Sequence, residues 1–352
     1  TAILIIVIIG MIIGTWILSG TVPAMIYYGL KIISPKIFLI AVCLICSVVS
    51  LATGSSWTTA GTVGIAFIGM GQGLEIPLPI VAGAVVSGSY LGDKMSPLSD
   101  TTNLAPAMAG SELFDHIRHM LYTTGPSYVI SLILYGIIGI KYGGNVLNTE
   151  SINIILKGLS SQFVISPLLL IPPLAVIAMV IFKVPAIPGL IGGATLGGLF
   201  AAVFQGSSIG EIVEATHYGY FSETGVESID TLLSRGGLDS MMWTLSLVLI
   251  AMCFAGVMQK SGMLDAIAKK ILIFATSTGN LVLATVITCG ATVFVTGEQY
   301  LSIVIGGGMY KDIYEERGLH PKNLSRALED SGTLLAPLVP WSSCAAFMYA
   351  AM

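Results

Sequence analysis

The chain has 352 residues, of which 55% are hydrophobic and only 10% charged, and its mean hydropathy is +0.90. A soluble domain carries about 25% charged residues, so this composition excludes a water-soluble surface and makes the bilayer the solvent. The net charge is −4 and the 15 basic residues are scattered rather than gathered with aromatics into a stripe, which excludes a nucleic-acid surface.

In chain order, apolar segments cover residues 2–18, 37–52, 61–70, 77–91, 121–140, 166–182, 188–204, 241–258, 271–294, 301–309 and 334–352. Those near ~20 residues can cross a bilayer as helices, whereas several others are too short or too polar to span simply. Gly numbers 41, and Gly or Pro recurs at the breaks, as in Ser19-Gly20-Thr21-Val22-Pro23 and from Gly92 to Pro106. The expected fold is therefore all-α and polytopic, with discontinuous or re-entrant helices. Non-helical backbone at membrane depth is tolerated only where it is buried in protein or lines a wet cavity, so polar breaks locate a site. No charged n-region or cleavage site accompanies the first segment, and a signal peptide is not expected. Residues 207–239 form the longest polar interval, with Arg235 its only Lys or Arg, and the positive-inside rule places it outside. Cys43, Cys46, Cys253, Cys289 and Cys344 lie in apolar runs and read as packing residues.

The second half repeats the first at its polar breaks. Gly14-x4-Ser19-Gly20-x3-Ala24 matches Gly256-x4-Ser261-Gly262-x3-Ala266, and Thr53-Gly54-Ser55-Ser56-Trp57 faces Thr296-Gly297-Glu298-Gln299-Tyr300. Leu91-Gly92-Asp93 faces Leu328-Glu329-Asp330, and residues 96–103 face 336–343 after a short insertion. Four blocks in one order indicate a duplication, with residues 1–140 as one membrane repeat, 141–240 as connecting helices and a polar loop, and 241–352 as the second repeat. Duplicated halves with paired broken helices characterise secondary transporters, whose site lies at the repeat interface. The first half continues into the segment 121–140, so the second is expected to have a counterpart beyond Met352.

The densest polar cluster runs from Gly92 to Pro106 between apolar helices. Pro97 and Pro106 interrupt the hydrogen-bond ladder, and Ser, Thr, Asn and Asp supply the oxygen ligands a hard cation prefers. An aqueous loop is the plainer reading, against which stands the more apolar repeat counterpart that keeps the proline and the hydroxyls. Asp93, Asp100, Thr101, Thr102 and Asn103 are the expected cation and proton ligands, with Asp100, Thr101 and Asn103 expected to hold sodium. A carboxylate partly withdrawn from water takes up a proton more readily, and it can hold H+ or Na+ but not both, which is the simplest route to antiport. Lys94 either pairs with a carboxylate or snorkels to the interface. Glu298, in an apolar region, and Asp330, the counterpart of Asp93 beside Glu329, are candidate acids. Ser55, Ser56, Thr58, Ser342 and Ser343 are candidate hydroxyl ligands, although Ser and Thr also serve close helix packing. Glu75 reads as part of an exposed hairpin, and His116 and His119 as a solvated helical face, with pH sensing open. No phosphate-cradling loop, HExxH or nucleophile–base spacing occurs, so neither an enzyme nor ATP-driven transport is expected, and Gly306-Gly307-Gly308 reads as helix packing.

The run Gly92-Asp93-Lys94-Met95-Ser96-Pro97-Leu98-Ser99-Asp100-Thr101-Thr102-Asn103-Leu104-Ala105-Pro106, followed by Phe114-Asp115-His116-Ile117-Arg118-His119-Met120, resembles the NhaC family of bacterial sodium/proton antiporters. Residues 14–23 and 330–341 fit as well, so the resemblance covers essentially the whole chain. It implies an inner-membrane protein with inverted repeats, broken helices and a homodimer moving as an elevator. Sodium and protons would be the transported species, with no cofactor. The family also includes exchangers coupling sodium to malate or lactate, which makes a carboxylate exchanger the alternative. A channel fits the duplicated broken helices less well.

Overall fold

The computed structural model describes residues 2–32, 34–143, 149–182, 184–223, 227–272 and 275–352. Among these residues all regular structure is helical apart from one isolated bridge, Tyr220 to Arg235. Helix α1 (Ala2–Leu18) stops at Gly20, whose φ is 79°, and α2 (Thr21–Ile32) leaves at 68°. The Ser19 hydroxyl donates to the Trp16 carbonyl at 3.1 Å and the Gly20 N–H to Ile17 at 2.9 Å, satisfying acceptors that the break exposes. Pro23 falls in the first turn of α2, where no intrahelical N–H is needed. Helix α3 (Pro35–Thr53) begins on Pro35 and ends at left-handed Gly54. Helix α4 (Ser56–Thr59) widens through a π turn, Ala60–Gly64, into α5 (Ile65–Gly73). Exposed Glu75 then turns the chain into α6 (Leu78–Met95), followed by α7 (Asp100–Ala109) and α8 (Leu113–Gly143).

Helix α9 (Thr149–Gln162) meets α10 (Ile171–Ile181) through a 94° bend. Helix α11 (Ala186–Phe200) ends in a π turn, and α12 (Ile209–His217), α13 (Glu227–Leu233) and α14 (Gly237–Ser240) are short. A capping box opens α12: the Ser208 N–H and hydroxyl both donate to Glu211, holding that carboxyl below its usual range. Helices α15 (Met242–Lys260), α16 (Met263–Leu272), α17 (Thr278–Thr296) and α18 (Gln299–Glu316) follow. Helix α19 (Pro321–Leu328) runs on through the π turn Glu329–Thr333 and bends by 48° into α20 (Ser343–Ala351).

Five of these helices are long and apolar enough to cross a membrane, and counting each bent pair as one span gives up to eight. Helix α8 turns Val129, Ile130, Ile133, Leu134, Ile137 and Ile140 outward, the exterior that lipid selects. The chain is a multi-pass, all-helical membrane protein.

Packing divides it into two compact units, one formed by Thr1–Gly92, Ile130–Trp243 and Ala350–Met352, the other by Asp93–Val129 and Thr244–Tyr349. In the first, α1 packs on α11, α12 and α14, buries Ile6, Ile9, Ile12 and Ile13, and donates from Trp16 Nε1 to the Gly193 carbonyl at 3.0 Å. In the second, α18 packs on α7, α17 and α19. The Tyr310 hydroxyl meets Thr288 Oγ1 at 2.7 Å and Tyr314 meets Thr285 at 3.2 Å, so both ring tips are satisfied inside an apolar core of Leu281, Ile303, Leu324 and Leu328. Any side chain at Gly306 would strike Leu328 and Cys289 and one at Gly307 would strike Met108, so these two glycines serve helix packing, while Gly308 faces open space.

The structure departs from the sequence expectations in three places. The apolar stretch 271–294 is not one helix: α16 ends at Leu272, and Ser277 caps α17 by accepting from the Asn280 N–H at 3.2 Å. Continuous hydropathy hides a break made by a cap. Cys253 is exposed on α15 while the other four cysteines are buried, because a lipid-facing position accepts a thiol as readily as a core does. His116, expected on a solvated face, is fully buried.

Local backbone geometry recurs between the halves. Gly20 and Gly262 have φ of 79° and 73°, and the serines before them donate to Trp16 and Met258 carbonyls, each at 3.1 Å. Helices α3 and α17 are both 19 residues long and end at left-handed Gly54 and Gly297, after which Ser55 and Glu298 occupy extended N-cap positions. Helices α5 and α18 end on Leu74 (φ −89°, ψ 5°) and Arg317 (φ −88°, ψ 5°), each followed by a positive-φ residue, Glu75 or Gly318.

Candidate functional site

The polar cluster of the second unit forms where α6 stops and α7 starts. The Thr102 hydroxyl lies 3.1 Å from the Asp93 carbonyl and 2.8 Å from that of Lys94, capping the end of α6 from within α7. Ser99 is the extended N-cap of α7, and Asn103 Nδ2 donates to the Pro97 and Ser99 carbonyls at 2.8 and 2.7 Å, which folds the loop onto the helix. The buried cap has a measurable consequence. Thr102→Val takes the hydroxyl from the Lys94 carbonyl at a cost of about 1–3 kcal/mol, while the Asp93 carbonyl keeps the Ser96 N–H; Thr102→Ser keeps the bond. Thermal unfolding of the purified protein in detergent is expected to show a lower midpoint for the valine variant and a midpoint near wild type for serine.

The cap brings the last turn of α6 into the second unit with its charges inward. Asp93 is 8% exposed, and the Lys94 ammonium is buried in an ion pair with Asp330 of the π turn, whose side chain is 23% exposed. Beside Asp330, Glu329 is 0% exposed. Neither of its carboxylate oxygens nor Thr333 Oγ1 reaches a hydrogen bond of full geometry, and the hydroxyls of Thr101 and Thr333 are its closest hydrogen-bonding neighbours. Lys94 and Asp93 act on it through space. Asp93 and Asp100 both act on the Tyr300 hydroxyl. One ammonium is thus set among three carboxylates, Asp93, Glu329 and Asp330, with threonine hydroxyls alongside.

The remaining expected residues separate. On α7, Thr101 and Thr102 are buried while Asp100 and Asn103 are exposed, so the trio Asp100, Thr101 and Asn103 does not share one face. Glu298, the N-cap of α18, is partly buried beside Ser343, and the Ser343 N–H bonds the Gly297 carbonyl at 3.1 Å. Ser342 Oγ lies 2.5 Å from the Ala336 carbonyl and accepts from the Ala345 N–H at 3.0 Å. Ser55, Ser56 and Thr58 belong to the first unit, where Ser55 Oγ accepts from the Thr58 N–H at 3.2 Å. In the second unit His116 Nδ1 meets Ser325 Oγ at 2.9 Å, its Nε2 is buried without a hydrogen-bond partner, and Lys94 lies in its field. His119 stays near the surface, 3.1 Å from Asn323 Oδ1.

Lys94 pairs with a carboxylate, one of the two readings its sequence position allowed, but two features were not singled out: that the partner is Asp330, and the depth of Glu329. Glu329 had a signal, since an acid in a segment that resumes apolar within a few residues is a functional-site candidate. The choice of Asp330 as partner had none, because the two residues are 236 positions apart.

A helical membrane protein with ionisable groups buried at helix breaks has the construction of an ion-coupled transporter. Comparison with known proteins supports that class and narrows it. Residues 88–352 match the Na+/H+ antiporter family. The Na(+)/H(+) antiporter NhaC of Alkalihalophilus pseudofirmus is 46% identical over 346 residues, 98% of this chain and 74% of that protein. The malate-2H(+)/Na(+)-lactate antiporter of Bacillus subtilis is 41% identical over 99% of this chain and 74% of its own length, and the arginine/ornithine antiporter ArcD of Halobacterium salinarum is 38% identical over 100% and 73%. No solved structure matches the chain significantly. The chain belongs to the Na+/H+ antiporter family, with NhaC proteins among its relatives.

Proposed function

We propose that this protein exchanges sodium for protons across the bacterial cytoplasmic membrane, with both ions served by the cluster at the α6–α7 break and the π turn Glu329–Thr333. The observation that carries this reading is the single buried ammonium among three carboxylates. Fully ionised, one positive and three negative charges leave an excess of two negative charges in a largely dry place, which desolvation makes costly. A proton or a hard cation relieves the same excess. Each therefore displaces the other, and coupling needs no further device. The donors around the cluster are oxygens, which suit an alkali cation. Asp100 and Asn103, exposed on α7, are the ligands an arriving sodium ion meets first, and Thr101 lies further in; Glu298 with Ser343 forms a second acid–hydroxyl pair in the same unit.

A second reading, sodium-coupled exchange of a carboxylate, is favoured by the malate/lactate relative. It needs a cation for the substrate, and here Lys94 is already engaged by Asp330. Proteoliposomes separate the two. An imposed sodium gradient is expected to move protons with no organic acid present; movement only with malate or lactate inside would establish the second reading instead.

The recurring turns support descent of residues 1–140 and 241–352 from one duplicated unit joined by 141–240. Inverted insertion of such halves is how secondary transporters build a shared midplane site, and we extend that architecture, with a homodimer, to this protein.

A further inference from the structure

Resting on that reading, we propose that Glu329 is the residue that carries the exchanged proton. Its carboxyl group is fully buried, and neither oxygen has a hydrogen bond of full geometry. Lys94, the cation nearest to it in charge interaction, is engaged by Asp330. An ionised carboxylate in that position has empty acceptor sites and no counter-ion of its own, and such a group is held neutral by a proton or balanced by a bound cation. The Thr333 hydroxyl, its neighbour, likewise reaches no hydrogen bond of full geometry. Two adjacent buried polar groups that meet without a hydrogen bond of full geometry mark a place built for something exchangeable.

The surroundings fit that role on every side. From α6, Asp93 and Lys94 act on Glu329; from α7, the Thr101 hydroxyl faces it; on its own turn stand Asp330 and Thr333. Helices α17 and α18 pack on the same turn, where α17 offers Cys289, next to Ser302 and Ser331, and Tyr300 of α18 faces Asp93 and Asp100. From α8, His116 lies within the field of Lys94. In the proton-loaded form Glu329 is a neutral acid among hydroxyls. When sodium enters, its O–H bond breaks, the proton leaves to water, and both electrons of that bond stay on the carboxylate, which becomes an oxygen ligand with Asp93, Thr101 and Thr333. Departure of sodium reverses the step.

The test is sodium-induced proton release from the purified full chain in weakly buffered detergent, followed with a pH-indicating dye and with choline chloride as control. Wild type is expected to release protons when sodium is added, and Glu329→Gln to release none. Glu329→Asp is expected to release them with a displaced pH midpoint. Release from Glu329→Gln equal to wild type overturns the assignment, and so does an unmoved midpoint in Glu329→Asp, which carries the test if the glutamine variant does not fold. A wild type that releases nothing removes the exchange reading itself, so the two failures are distinguishable.

Discussion

Lys94→Met is expected to abolish sodium-driven proton movement in proteoliposomes and to destabilise the second unit by about 3–5 kcal/mol, because removing one partner of a buried ion pair leaves an uncompensated charge. The loss should exceed that of Asp330→Asn. Without the lysine, three carboxylates face one another with no ammonium among them. Without Asp330, Lys94 still has Glu329 in its field and can turn to it. The double variant Lys94→Met with Asp330→Leu, which replaces the pair by apolar groups, should recover much of the lost thermal stability while staying inactive. Thermal unfolding in detergent read beside transport decides this. A Lys94→Met protein as stable and as active as wild type would remove the ion pair from both roles.

The second large effect separates the two aspartates at the α6–α7 break. Asp93→Asn is expected to stop exchange, because Asp93 is buried beside Glu329 and its charge is part of the excess that the transported cation neutralises. Asp100→Asn is expected to weaken the apparent affinity for sodium while leaving maximal exchange largely intact, since an exposed charge in high dielectric contributes about 0–1 kcal/mol. Sodium titrations of proton movement at fixed pH give both quantities. Equal and complete loss in the two variants would place Asp100 inside the site and contradict the division that burial suggests.

These expectations show how unevenly the chain can be read in advance. The long apolar helices and the break at Ser19-Gly20 are legible because hydropathy and a left-handed glycine are local properties. The short helices α2, α7, α16 and α19 are not, since each is only a few turns long and mixes apolar with polar residues too closely for hydropathy to set its ends. At the site, the cluster from Asp93 to Asn103 stands out by composition alone. The roles within it do not: Thr102 reads as a ligand but caps α6, and Asp100 and Thr101, adjacent in sequence, fall on opposite sides of the boundary between exposed and buried. His116 reads as surface because its neighbours Asp115 and Arg118 are polar, and only its meeting with Ser325 reveals that it is inside. The partnership of Lys94 and Asp330 is a property of the folded chain and leaves no trace in local pattern.

The π turn at Glu329–Thr333 carries a consequence of another kind. A π turn is an α-helix holding a surplus residue, and rewinding the segment as α-helix with every residue kept would turn everything after it by about 100° around the axis relative to α19. Glu329 and Asp330 therefore depend on the winding of the segment as much as on their own chemistry. Here the π turn is part of the specification of the site, and a change that lets it rewind as α-helix would rearrange the site even with every acid retained.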